Sequence, residues 1–182
     1  MDEEIHPVKE YLFDYIKKSE TKLQELIAQS KMDEVIDDIL DNCYYKTSLL
    51  DDREESLGVL ATGILHYMLT SAMLSSQRKV EHQGIEVDIV IPDLKTLEQD
   101  TKKTLIICIP KTGDKKIISE KLEKLEVIQP EKPNIWLVLT QDLGFENKTF
   151  VIKKDGNFSK IIFEIAQFVN VQGHNKFKIL RI

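Results

Sequence analysis

Residues 84–111, GIEVDIVIPDLKTLEQDTKKTLIICIPK, read as two apolar strands joined by a long polar connection, with carboxylates near the start and a lysine at the end. Side chains alternate faces along a strand, so Glu86 and Asp88 share one face. Acidic residues are depleted in strands and two neighbouring carboxylates repel, which singles this pair out. Oxygen ligands of this kind suit hard divalent cations. Lys111 closes the second strand, where an ammonium can meet an anion or simply shield a strand edge. The competing reading of Glu86 and Asp88 is a solvated strand face.

The other chemistry-bearing residues are scattered. Glu54 and Glu55 stand in the first turn of a predicted helix, where acids complement the positive end of the helix dipole. His66 is expected as a hydrogen-bonded core histidine, because the helix around it is apolar nearly all round. His82 falls near the start of the strand pair, and no partner with ligand spacing accompanies it. Cys43 and Cys108 share no motif spacing, so neither zinc nor a disulfide framework is indicated, and Cys108 is expected as a core thiol. No serine or cysteine nucleophile arrangement, Gly-rich phosphate loop or dinucleotide fingerprint occurs.

The elements that would position these residues follow from periodicity. Pro7 can open a helix without loss, and Val8, Leu12, Ile16, Leu23, Leu26 and Ile27 carry helical spacing to about residue 30. A second helix is predicted over about 33–42, followed by a loop through YYKTSLLDD. A third, between about 51 and 79, is apolar between Leu57 and Leu74 and so reads as a buried helix. The period then shifts to that of strands at 79–85, 87–91 and 104–109. DKKIISEKLEKLEVIQ is an amphipathic helix whose SEKLEKLE charges read as a solvated face. NIWLVLT is a buried central strand, placed parallel to the strand before its helix by the crossover. Residues 149–153 read as a further strand turned by Asp155-Gly156, then a helix over NFSKIIFEIAQFVNV and a terminal strand KFKILRI. The fold class is α/β: a mixed sheet flanked by helices.

Residues 51–140, through VDIVI and LIICIPK, resemble the PD-(D/E)xK superfamily, the restriction-endonuclease-like fold shared by archaeal Holliday-junction resolvases and many repair nucleases. The resemblance implies an αβββαβ core, with residues 1–48 as an N-terminal helical extension and 49–182 as the nuclease-like domain. It implies that Asp88 matches the family's metal-binding aspartate and Lys111 its lysine, which stabilises developing charge on phosphorus or positions water. The carboxylates of such a site hold Mg²⁺ or Mn²⁺, which activates water against a phosphodiester. Pro92-Asp93 is a literal match, yet Asp93 follows its apolar strand and falls in the connection, away from Lys111. Ile109 stands where the family has its second acid, and an alkyl side chain cannot ligate a hard cation. A migrated ligand set would draw on Asp88, Glu86 and Glu55, with Glu54 as another helix-borne candidate, and Lys111 facing phosphate.

Composition constrains partners. Hydrophobic residues make up 42% of the 182-residue chain and charged residues 31%, enough apolar material for a core. Acidic residues outnumber basic ones, 31 to 25, for a net charge of −6, which weighs against bulk capture of DNA or RNA. Lys160, Lys176, Lys178 and Arg181 could form only a sparse basic patch. The start of the chain does not read as a signal peptide and no apolar run has membrane-spanning length, so a cytoplasmic protein with no membrane role is expected. Three functions compete: a nuclease-fold binding or accessory subunit without full catalytic competence, an active Mg²⁺- or Mn²⁺-dependent endonuclease, and a structural α/β domain. A protein partner or homo-oligomer would use the amphipathic N-terminal helices.

Overall fold

The structure is a computed structural model that describes residues 4–177. Four helices come first: α1 (Pro7–Lys18), α2 (Glu20–Ala28), α3 (Met32–Ser48) and α4 (Arg53–Ser71). The single helix expected over residues 7–30 is thus divided at Ser19, whose N–H still bonds the Tyr15 carbonyl at 3.0 Å while its backbone leaves helical geometry. The second helix runs on into the expected loop as far as Ser48. Its inward stripe continues through Cys43 to Thr47, which is buried with its hydroxyl donated to the Cys43 carbonyl at 2.8 Å.

Strands β1 (Gln77–His82) and β2 (Ile85–Ile91) form a tight hairpin. Gln83 and Gly84 both take positive φ, 53° and 74°, as a two-residue hairpin turn demands. The expected first strand ran through this turn, so its boundary moves back. The connection after β2 is not a polar loop either. Asp93 accepts from the Thr96 N–H at 2.7 Å and caps the short helix α5 (Leu94–Gln99), with a 3₁₀ turn beyond it. Then come β3 (Leu105–Cys108), α6 (Lys115–Ile128), β4 (Ile135–Leu139), β5 (Thr149–Val151) and α7 (Ile161–Phe177). Lys176 and Phe177, the start of the expected terminal strand, belong to α7, and the remainder of that strand lies outside the described residues.

The sheet order is β1-β2-β3-β4-β5; β2 is antiparallel to both neighbours, while β3, β4 and β5 are mutually parallel. The crossover through α6 therefore gives the expected parallel pairing of β3 with β4. At the far edge, the Asn157 side chain pairs with the Thr149 carbonyl and the Val151 N–H, covering polar groups of β5 that would otherwise stand open.

Two apolar layers sandwich the sheet. Ile89, Ile107, Ile109, Trp136 and Phe150 face α4, α3 and α7, while Val90, Ile106, Cys108 and Leu137 face α6. Val8 and Leu12 of α1, Leu23 of α2 and Ile36 of α3 belong to the same core as α4 and the sheet. The N-terminal helices thus contribute part of their apolar surface to this core, while Phe13 of α1 stays exposed. Within α4 the buried residues leave one face open, and His66 lies on it, exposed to solvent. The expectation of a core histidine is corrected on that ground. Among the described residues no helix is long and apolar enough to cross a membrane.

Candidate functional site

Asp88 lies across from Cys108, one step beyond the paired Ile89 and Ile107, and so belongs to the face covered by α6. Its Oδ2 accepts two hydrogen bonds: from the Ile109 N–H at 2.7 Å and from Lys121 Nζ at 2.9 Å. β3 ends at Cys108, so the carboxylate takes the next backbone donor where the ladder stops. Both side chains of the ion pair are under a third exposed, which limits screening by water. Burial works against the charge on Lys121, yet the neighbouring ionisable groups Cys108, Asp88 and Glu86 hold its ammonium above the ordinary lysine value. Asp88 is the dominant one at neutral pH, because burial keeps the Cys108 thiol protonated up to about 12. Glu86 is exposed and near enough for its charge to act on Lys121.

Lys121 was not legible as a site residue, and its assignment to a solvated helix face is corrected. A signal was present. Ile118, Leu122, Leu125 and Ile128 form the buried stripe of α6, and Lys121 stands one turn from Ile118 and Leu125, inside that stripe.

Lys111 goes elsewhere. It follows Pro110 with φ at 55°, and its stem runs over Gly58 of α4, so that a Cβ added at Gly58 would lie 2.5 Å from Lys111 Cγ. Glu55, in the first turn of α4, lines the same open groove as Lys111, and its N–H donates to the capping Asp52 at 3.0 Å. Four anticipated residues thus divide into two pairs. Asp88 stands with Lys121 toward α6, with the Glu86 charge acting on the same ammonium; Lys111 and Glu55 stand toward α4. The structure does not bring Asp88 and Lys111 together.

Ile109 is 2% exposed and packs in the core beneath α4. Beside it, Glu54, Gly58, Lys111 and Thr140 line a cleft of about 10 Å³, room for no more than one water. Within it Glu54 accepts the Thr140 hydroxyl proton, so this carboxylate does more than complement the helix dipole.

These donors do not fit Mg²⁺ or Mn²⁺. Asp88 Oδ2 is already bonded to an ammonium, Ile109 offers only carbon, and Glu55 faces the opposite layer. Among the described residues, no three His, Cys, Asp or Glu side chains converge so as to hold a metal ion. His82 Nδ1 stands 3.6 Å from Glu98 Oε1, near the hairpin turn. Desolvation first, then the Arg78 charge, holds the His66 imidazole below its ordinary pKa. Lys160 lies 3.7 Å from Asp33, and the side chains of the other three residues of the C-terminal basic patch are outside the described region. Comparison with protein-family models, with curated proteins and with solved structures finds no match to this chain.

Proposed function

We propose that this chain is a non-cleaving α/β domain that serves as a binding or accessory subunit, its resemblance to the restriction-endonuclease-like fold lying in element order and not in a shared Asp88–Lys111 site. The observation that carries the proposal is the Asp88–Lys121 ion pair: an ammonium of the protein itself occupies the aspartate that the family uses for a metal ion. Ile109 supports it, since its side chain is packed as core where the second acid would stand. With the short α5 set aside as an insertion between β2 and β3, the run α4-β1-β2-β3-α6-β4 is compatible with the αβββαβ order that the resemblance implies. A nucleic-acid-linked setting for the subunit rests on the resemblance alone.

Nicking of supercoiled plasmid in Mn²⁺ tests the proposal. The wild-type chain leaves the plasmid intact, and so does Asp88→Ala. Mn²⁺-dependent nicking by the wild type that disappears in Asp88→Ala overturns it.

A further inference from the structure

An open groove of about 770 Å³ runs along the exposed face of α4, between α1 and the start of β1. It follows α4 from Glu55 to Ser71, about 24 Å of helix at 1.5 Å per residue. Gly63 lets α1 come close, since a Cβ there would lie 2.5 Å from Leu12 Cδ2. The floor is apolar: Leu12, Phe13 and Ile16 from α1, Val59 and Tyr67 from α4. Phe13 is 65% exposed, an unusual position for a large aromatic side chain.

The rim has one dominant sign. Lys9, Arg78, Lys79 and Lys111 all line the groove, all are exposed, and none forms an ion pair among the described residues. Glu55 is the sole carboxylate among its lining residues. On a chain of net charge −6 this is a local basic island. Lys79 and Lys111 are both held at positive φ, 50° and 55°, a costly backbone state for a lysine.

We infer that this groove is the docking site for an acidic amphipathic helix of a protein partner. The inference rests on the binding-subunit reading and names the partner's chemistry. The length matches a helix of four turns or more, whose apolar side chains at i, i+3, i+4 and i+7 would cover Phe13, Ile16 and Val59. Its carboxylates would meet the lysines and the arginine at the rim, steering encounter and setting orientation. A nucleic-acid strand is the poorer occupant. Its phosphates gain nothing from an aliphatic floor, whereas a helix with one apolar face covers it. The chain's own terminal KFKILRI is cationic and has the wrong sign for this rim.

Fluorescence anisotropy tests the inference, using a fluorescein-labelled helical peptide with leucine on one face and glutamate on the others. Controls are the same peptide with lysine for glutamate, and a labelled single-stranded DNA. The acidic peptide binds, the lysine peptide does not, and affinity falls as salt rises. Phe13→Asp weakens binding about tenfold or more, as does Lys9→Glu with Arg78→Glu. These positions are exposed, and unchanged thermal unfolding of the variants verifies that the fold is intact. Binding of the DNA in preference to the acidic peptide overturns the inference; so does indifference to all the substitutions, or no peptide binding at all. Concentration-dependent dimerisation abolished by Phe13→Asp also overturns it, assigning the groove to a second copy. Plasmid nicking by the wild type would instead overturn the non-cleaving reading, and the two failures are separately readable.

Discussion

Asp88 Oδ2 joins two elements at once: it accepts from Lys121 of α6 at 2.9 Å and from the Ile109 N–H, just past β3, at 2.7 Å. The carboxylate is thus the point where helix, strand end and neighbouring strand are held in register. Removing it as Asp88→Ala leaves a backbone donor and a half-buried ammonium without their acceptor, at a cost of about 1–3 kcal/mol. Asp88→Asn keeps an oxygen for the Ile109 N–H and costs less. Lys121→Met costs less again, since the alkyl chain still covers the sheet while the carboxylate retains its backbone donor. Urea unfolding followed by Trp136, the only tryptophan and a buried one, ranks the three. A ranking with Lys121→Met worst would show that the ammonium, and not the strand-end acceptor, dominates.

Thiol ionisation makes stability fall in alkali. Burial raises Cys43 from an ordinary 9.0 to about 11 and Cys108 to about 12. In the unfolded chain both thiols lose protons near the ordinary value, while the folded protein still holds them. Between those limits the unfolded state binds fewer protons, so stability is complete below about pH 9 and declines as pH rises toward the folded values. Urea midpoints that stay level to about pH 8.5 and then drop, with the drop reduced in Cys43→Ala/Cys108→Ala, are the expected outcome. Lys121, also raised, adds a loss of the same sign at higher pH. A thiol reagent at neutral pH should label neither cysteine until urea opens the fold.

The gross architecture was readable because periodicity is local. The shift from the α4 pattern to alternating strands and the apolar run of β4 foretold the mixed sheet and its parallel crossover. Short-range chemistry was harder. Gln83-Gly84 was read as the end of a strand because glutamine seldom supplies positive φ, and the cap at Asp93 was hidden in a polar run. The site was least readable of all. Asp88 stands out as an acid in an apolar strand, but its partner is on α6, far along the chain, and appears in the sequence as one more lysine in SEKLEKLE. Lys111 could not be placed because the left-handed turn after Pro110 sends its side chain toward α4.

Ile109→Glu measures what the missing acid would cost. The isoleucine is buried among Ala61, Val138 and Ile152, and a carboxylate there trades packing for an ion with little solvent. A loss of about 3 kcal/mol is expected. Burial would hold the new carboxyl above the ordinary glutamate range, so folding would favour its protonated form. Stability should therefore recover as pH falls toward about 5, where the wild type shows no such gain. A variant equally stable at both pH values would mean that the side chain escapes to solvent past Lys111.

Gly58 and Gly63 both sit where a Cβ would meet an atom at 2.5 Å, yet they should respond differently to alanine. At Gly63 the obstacle is one terminal methyl of Leu12, with nothing else nearer than 4.0 Å, and it lies beside the open groove. A small rotation clears it, and the helix-propensity gain of up to about 1 kcal/mol offsets the adjustment. At Gly58 the obstacle is Lys111 Cγ, backed by Lys111 Cα and Cβ at 3.3 Å, so the backbone itself must shift. Gly58→Ala should cost about 1–3 kcal/mol. Lys111→Gly removes both the blocking stem and the strain of φ at 55°, so on the wild-type background it should leave stability unchanged or raise it. In the double variant Gly58→Ala/Lys111→Gly, most of the loss should be regained. Purely additive effects of the two substitutions would show that Lys111 does not rest on Gly58 in solution.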